Sequence, residues 1–203
     1  MNRNMDNQNN VLAEKPEEPK SKGQLDNYFQ YVMQTIKEPG HLLSGEAKGK
    51  HQFGLITIIA FLGLILLSNV VGIFRYLDGL RYFGFGDYFD YFESTISYGV
   101  ALALLMLVFQ NMASKNGNNY DYNFFFEKFG SLLVIPSLLL VISIPLELLD
   151  VTIHSWFSSL AYTLLELAVF LTSYLFIAKN NIKTAILFVA GFYFVYRIIY
   201  LIL

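Results

Sequence analysis

The sequence predicts an all-α membrane protein: a bundle of about five transmembrane helices with a preceding amphipathic interfacial helix. Three observations carry this. Of 203 residues, 55% are hydrophobic and only 15% are charged, against about 25% charged in an average soluble domain. The apolar residues fall into five runs, each near the roughly 20 residues that a helix needs to cross a bilayer core. Lys and Arg concentrate on alternate connections between those runs, as expected of a chain threaded back and forth across a membrane.

Residues 1–20 are polar, with Asn2, Asn4, Asn7, Asn9 and Asn10 ahead of Glu14, Lys15, Pro16, Glu17, Glu18, Pro19 and Lys20. Such a segment buries too little to offset the entropy of ordering it, and reads as a disordered cytoplasmic tail. Residues 21–52 hold a short amphipathic helix and a linker. Ser21 and Gln24 have capping-box spacing. Leu25, Phe29, Val32, Met33 and Ile36 fall on one helical face, and Pro39-Gly40 ends the helix. Two placements suit such a helix: in the membrane interface with its apolar face down, or packed on the ends of the bundle.

Residues 53–203 form the membrane domain. Its spans are expected at about 53–74, 92–113, 129–149, 155–178 and 182–203. The first has no charge at all. Because it begins so far into the chain, it is expected to act as its own insertion signal rather than as a cleaved peptide. Asp87 reads as an N-cap for the second helix, whose start is rich in interfacial Tyr and Phe. Thr95, Gly99 and Ala103 make a small-residue stripe there, suited to close helix packing or to a dimer face. Asp121 to Lys128 reads as a short aromatic interfacial segment leading into the third span. Pro136 and Pro145 lie inside that span, so it is expected to be kinked, as a fixed bend or as a hinge.

Orientation follows from charge. Arg3, Lys15, Lys20, Lys22, Lys37, Lys48, Lys50, Lys115, Lys128, Lys179 and Lys183 fall on one side. Arg75, Arg81 and the far half of the last span, with Arg197, fall on the other. The positive-inside rule then puts the N-terminus in the cytoplasm and the C-terminus outside the cell membrane.

Three ionisable residues lie within the expected spans: Glu147, Glu166 and Arg197. A charge within the bilayer costs at least a few kcal/mol and normally faces the bundle and finds a partner. Ser159, Glu166 and Ser173 recur every seven residues, flanked by Tyr162 and Thr163, so Glu166 is expected to point into the bundle. This set, Glu166, Arg197, Glu147, Ser159 and Ser173, is the candidate polar network. Three roles fit it: a Glu166–Arg197 ion pair that fixes helix register, a protonatable Glu166 serving transport or a conformational switch, and contact with lipid headgroups. Glu147 and Asp150 compete with Glu166 for Arg197. Asp78, Asp87, Asp90 and Glu93 gather between the first two spans and read as a solvated belt.

No other chemistry is legible. Cys is absent, which removes disulfides, thiolate metal sites and a Cys nucleophile. His41, His51 and His154 show no zinc spacing, and neither a nucleophile elbow nor a phosphate-binding loop is present. A net charge of −2 gives no basic field for nucleic acid. No catalytic, cofactor or metal site is expected, and the expected partners are membrane lipids and a membrane protein.

The stretch Tyr28-Phe29-Gln30-Tyr31-Val32-Met33-Gln34-Thr35-Ile36-Lys37-Glu38-Pro39-Gly40, ahead of five hydrophobic runs, resembles the Yip-domain family of small membrane proteins and similar proteins of Gram-positive bacteria. The resemblance implies five spans; the missing motifs and the small portion outside the membrane point to a non-enzymatic scaffold or accessory subunit acting through protein or lipid contacts, with a transporter or channel component using the polar stripe around Glu166 as the alternative. In eukaryotes that family engages small GTPases and vesicle traffic. Some related bacterial proteins carry an N-terminal zinc ribbon, from which this Cys-free chain departs. No functional residue carries over.

Overall fold

The computed structural model describes residues 24–38, 44, 49–74, 85–117 and 120–203. The expected tail, the Ser21 cap and the connection holding Arg75, Asp78 and Arg81 lie outside them. The described chain is helical: α1 (Gln24–Lys37), α2 (His51–Phe74), α3 (Phe85–Lys115), α4 (Tyr122–Leu132), α5 (Val134–Leu148), α6 (His154–Thr172) and α7 (Ile182–Ile202), with a π-helical turn at Ser173–Ile177 after α6. The stretches Phe92–Lys115 in α3 and His154–Ile177, and the helices α2 and α7, are long and apolar enough to cross a membrane. The pair α4–α5 also qualifies when taken together, bent by 45°, and counted as one broken span it makes five. This is an all-α, multi-span membrane protein. The end of the bundle where α2 begins is called the near end below, the other the far end.

The bend has a local cause. Pro136 has no N–H for the carbonyl of Leu132, and its ring crowds that turn. Leu133 bonds back to both Phe129 and Gly130 at 3.1 Å, a tightened turn, and α5 restarts with Ser137 N donating to Leu133 O at 2.9 Å. The Ser137 hydroxyl donates to the same carbonyl at 2.8 Å. Pro145 lies within α5 without breaking it.

Two expectations along this segment change. The aromatic stretch from Asp121 folds as a helix whose rings turn inward rather than lining the surface: Asp121 caps α4 by accepting from Phe124 N at 2.9 Å, and Phe124, Phe125 and Phe129 enter the core. A run of aromatics reads equally well as a belt or as a core stripe until its neighbours are known. The second span's helix starts at Phe85, so Asp87 lies inside its first turn rather than capping it.

The core is one cluster running through the bundle, with Phe61 and Ile65 of α2, Phe109 of α3, Phe125 and Phe129 of α4 and Leu165 of α6 almost wholly covered. The tightest crossing joins α2 to α4 at two glycines. A Cβ on Gly54 would run into the backbone of Phe126 and come within 2.9 Å of Glu127 Cα, and one on Gly130 would strike the backbone of Gly54. Gly99 faces α2, where a Cβ would meet Leu62 at 3.7 Å, so that glycine of the small-residue stripe serves intramolecular packing.

The α1 helix lies beside the opening turns of α2, running the opposite way. Successive contacts join Gln34 to Lys50 (2.6 Å), Tyr31 to Phe53 (ring centroids 5.5 Å) and Tyr28 to Thr57 (3.0 Å). Its outer stripe, Leu25, Phe29, Met33 and Ile36, stays exposed.

Candidate intramembrane interaction face

On α6 two stripes compete for the core. Ala161, Leu165, Ala168 and Thr172 form the buried one. Small and apolar side chains let neighbouring helices approach, so this stripe packs and the other turns out. Ser159, Thr163 and Glu166 are exposed in consequence. The expectation that Glu166 points into the bundle is therefore corrected. Thr163 satisfies its own hydroxyl by donating to Ser159 O at 2.9 Å, the back-bonding common for hydroxyl residues within helices. Glu166 has no hydrogen-bond or ion-pair partner among the described residues.

The matching face of α7 carries Ile186, Ala190, Tyr193 and Arg197, at helical spacing. Among the described residues α7 is the barest spanning helix, with 11% of its apolar window buried against 44% for the α6 span. Between the two helices runs an open groove of about 580 Å³, lined by Thr163, Glu166, Leu167, Phe170, Ala190 and Tyr193 among others. Arg197 sits one turn beyond Tyr193, with its guanidinium 5.8 Å from that ring's centroid, within cation–π range. Glu166 shares the groove with Ala190, and from Ala190 to Arg197 the helix climbs about 10 Å. Acid and base thus lie on one face at different levels, unjoined to each other or to any other described residue by a hydrogen bond or ion pair.

The remaining members of the expected network lie elsewhere. Glu147 of α5 accepts from the Ser68 hydroxyl of α2 at 2.9 Å, and its carboxylate lies 3.4 Å from where a Cβ on Gly72 would be. Ser173 is buried at the start of the π turn, donating to Phe170 O at 2.9 Å, while its own carbonyl accepts from Ala178 N at 2.7 Å. The π turn is covered by α3 and α7, which is why Ser173 is enclosed although it follows Glu166 by seven residues. Asn116, at the end of α3, donates to Ile177 O at 2.9 Å and holds that turn. Ser159, Glu166 and Arg197 share one face, then, and Glu147 and Ser173 do not belong to it.

Sequence reasoning missed two interior polar groups. At the near end Tyr31 and Ser131 bond at 2.7 Å, and Glu127 accepts from the Lys50 backbone N–H at 2.8 Å, at the start of α2. Glu127 and Lys128 are buried, although Lys128 reads in the sequence as a charge of the connection between the second and third spans. Lys128 lies 5.7 Å from the Phe124 ring centroid and donates to Ser44 at 3.4 Å. At the far end Asn69 donates to Ser94 at 2.9 Å, Ser143 bonds Ser158 at 2.6 Å, and Tyr98 stacks between Tyr162 and Tyr196, with centroids at 5.5 and 4.1 Å. The signal for the first group was the placement of Gly54 and Gly130, which brings α4 against α2. For the second it was the hydroxyl content of every span's far half.

Comparison with family models, with curated proteins and with solved structures gives no match.

Proposed function

We propose that this multi-span membrane protein is a non-enzymatic scaffold or accessory subunit, working through lateral contacts within the bilayer, and that the α6–α7 groove is its contact face. One observation carries this reading: Glu166, in the middle of a spanning helix, is exposed in a groove walled by Leu167, Phe170, Ile186 and Val189. A carboxylate facing lipid at the centre of a helix costs about 2.5–3.5 kcal/mol on insertion scales. A partner that supplies a donor or a cation offsets that cost. The bareness of α7 supports the same reading. The bias of Lys and Arg supports a cytoplasmic N-terminus, and the Yip-like stretch before α2 is consistent with a role through contacts rather than chemistry.

The test is a photo-reactive side chain at Thr163, in the groove, compared with one at Ala168, on the packed face. A protein adduct at Thr163 and none at Ala168 is the expected result; adducts to lipid alone at Thr163 overturn the reading.

A second reading, a transporter or channel component, draws on the far-end interior. There the Ser97 hydroxyl is buried without a hydrogen-bond partner among the described residues, beside the Tyr98 stack, where a polar path would run. Cysteine placed at Ser97 should react with a small soluble thiol reagent if water reaches it; silence there removes this reading.

A further inference from the structure

We infer that the partner on the α6–α7 face is a second copy of this chain, related by a two-fold axis along the membrane normal, with Glu166 of each copy paired to Arg197 of the other. The inference rests on the lateral-contact reading above and names the partner.

The argument is one of charge and symmetry. A two-fold interface joins a patch to itself, so the patch must be self-complementary: each group needs its counterpart elsewhere on the same surface. The α6–α7 face carries one acid, Glu166, in the groove and one base, Arg197, on the continuation of the α7 stripe. The other acid expected in the network, Glu147, is taken by Ser68. The two charges differ in level by about 10 Å, but their side chains lean toward each other. On any helix the Cα–Cβ bond tilts toward the N-terminus. The α6 helix begins at the far end and α7 at the near end, so Glu166 rises toward the far end while Arg197 descends. The contact of Arg197 with Tyr193, one turn nearer the level of Glu166, records that descent. The centre of the patch is also small: Ala190 lines the groove beside Glu166. Small residues at such a point let two helices come close.

Reciprocal charge reversal in two separately tagged full-length copies, reconstituted together in vesicles, tests this. Glu166→Arg alone sets Arg against Arg across the interface, and Arg197→Glu alone sets Glu against Glu. Each should lower self-association at least about tenfold, which corresponds to 1.4 kcal/mol. Mixed, the two variants restore both pairs, because Arg at position 166 of one copy meets Glu at 197 of the other, and the reverse. Recovery of association between differently tagged copies to near the wild-type level is the expected result. Rescue only when both substitutions are in one chain indicates a pair within the chain and overturns the inference.

Should either reversal prevent folding, Ala190→Cys in the otherwise cysteine-free chain gives an independent measure. A disulfide-linked homodimer is expected on oxidation in the membrane, with none from Leu187→Cys on another side of α7. Absence of the Ala190→Cys homodimer overturns the inference. In that event the Thr163 photo-adduct separates the two failures. A different protein attached there leaves the lateral-contact reading standing, and lipid alone removes both.

Discussion

Replacing Gly130 with alanine tests the tightest contact in the bundle. The added Cβ would lie 2.5 Å from the carbonyl carbon of Gly54 and closer still to other backbone atoms of that residue. Carbon atoms in ordinary contact are about 3.5–4.0 Å apart, so α2 and α4 must separate by about 1 Å at their crossing. No rotamer change relieves the clash, because both sides are backbone. Overpacking in a core costs typically about 1–3 kcal/mol, and a backbone-on-backbone clash belongs at the upper end. Against it stands the gain of alanine over glycine inside a helix, about 1 kcal/mol. The net expectation is a loss of about 2 kcal/mol. Gly63 supplies the control: it is on α2 like Gly54, and a Cβ there meets nothing within 4 Å, so Gly63→Ala should leave stability unchanged or raise it by up to about 1 kcal/mol. Reversible unfolding in mixed micelles of increasing denaturing detergent measures both. If Gly130→Ala proves as stable as the wild type, the helices do not meet backbone to backbone and this account of the crossing is wrong.

Other outcomes follow from single contacts. Tyr31→Phe removes the 2.7 Å bond to Ser131, and since the Ser131 hydroxyl still bonds Glu127 O at 2.6 Å, the expected loss in the same unfolding assay is about 1 kcal/mol. Burial pushes the Tyr31 phenol up to about 12, with the neighbouring Tyr28 and Glu127 adding to it against the lowering effect of the Ser131 bond. Its stabilising contribution is therefore complete below pH 10, where the unfolded phenol is still neutral, and is lost between about pH 10 and 12, so stability should fall more steeply there in the wild type than in Tyr31→Phe. Asn116→Ala strips the donor from Ile177 O and should cost about 1–2 kcal/mol, with faster amide exchange of Ala178 as the local reading. Pro136→Ala gives back the N–H for Leu132 O. Straightening the 45° bend would lengthen the distance between spin labels at Tyr122 and Leu148 by about 3 Å on helical rise, and an unchanged distance would assign the bend to the Gly54–Gly130 crossing instead.

The spans were legible because hydropathy over twenty residues is a strong signal that needs no knowledge of neighbours. The same holds for the kink, since Pro136 acts on its own backbone, and for α1, whose expected apolar face from Leu25 to Ile36 falls within Gln24–Lys37. Failures came where a side chain had to be assigned to one of two faces. Phe124 and Phe125 were read as a membrane belt and are core. Lys128 reads as a charge of the connection before the third span and is buried. Periodicity says which residues share a face; it does not say which face the rest of the chain will cover. That choice is made by packing, and here the decisive packing is the glycine contact between α2 and α4, which pulls the start of the third span under the first.

Glu147 and Glu166 make the same point in chemical terms. Each is an acid in an apolar helix, and nothing in the local sequence separates them. Ser68 stands opposite Glu147 because α2 packs along α5, so that acid is satisfied within the chain. Glu166 shares its helix with a run of small residues, Ala161 and Ala168 with Leu165 between them, and that run wins the core because close approach gains more dispersion contact than a carboxylate can return. The acid is left on the outside by competition, with no pairing group for it among the described residues. A bilayer makes this consequence sharper than water would. An exposed carboxylate on a soluble protein is simply hydrated, whereas one in a groove between spanning helices stays costly until it is protonated or paired. On the lateral-contact proposal, that cost at Glu166 is what a neighbour on the α6–α7 face offsets.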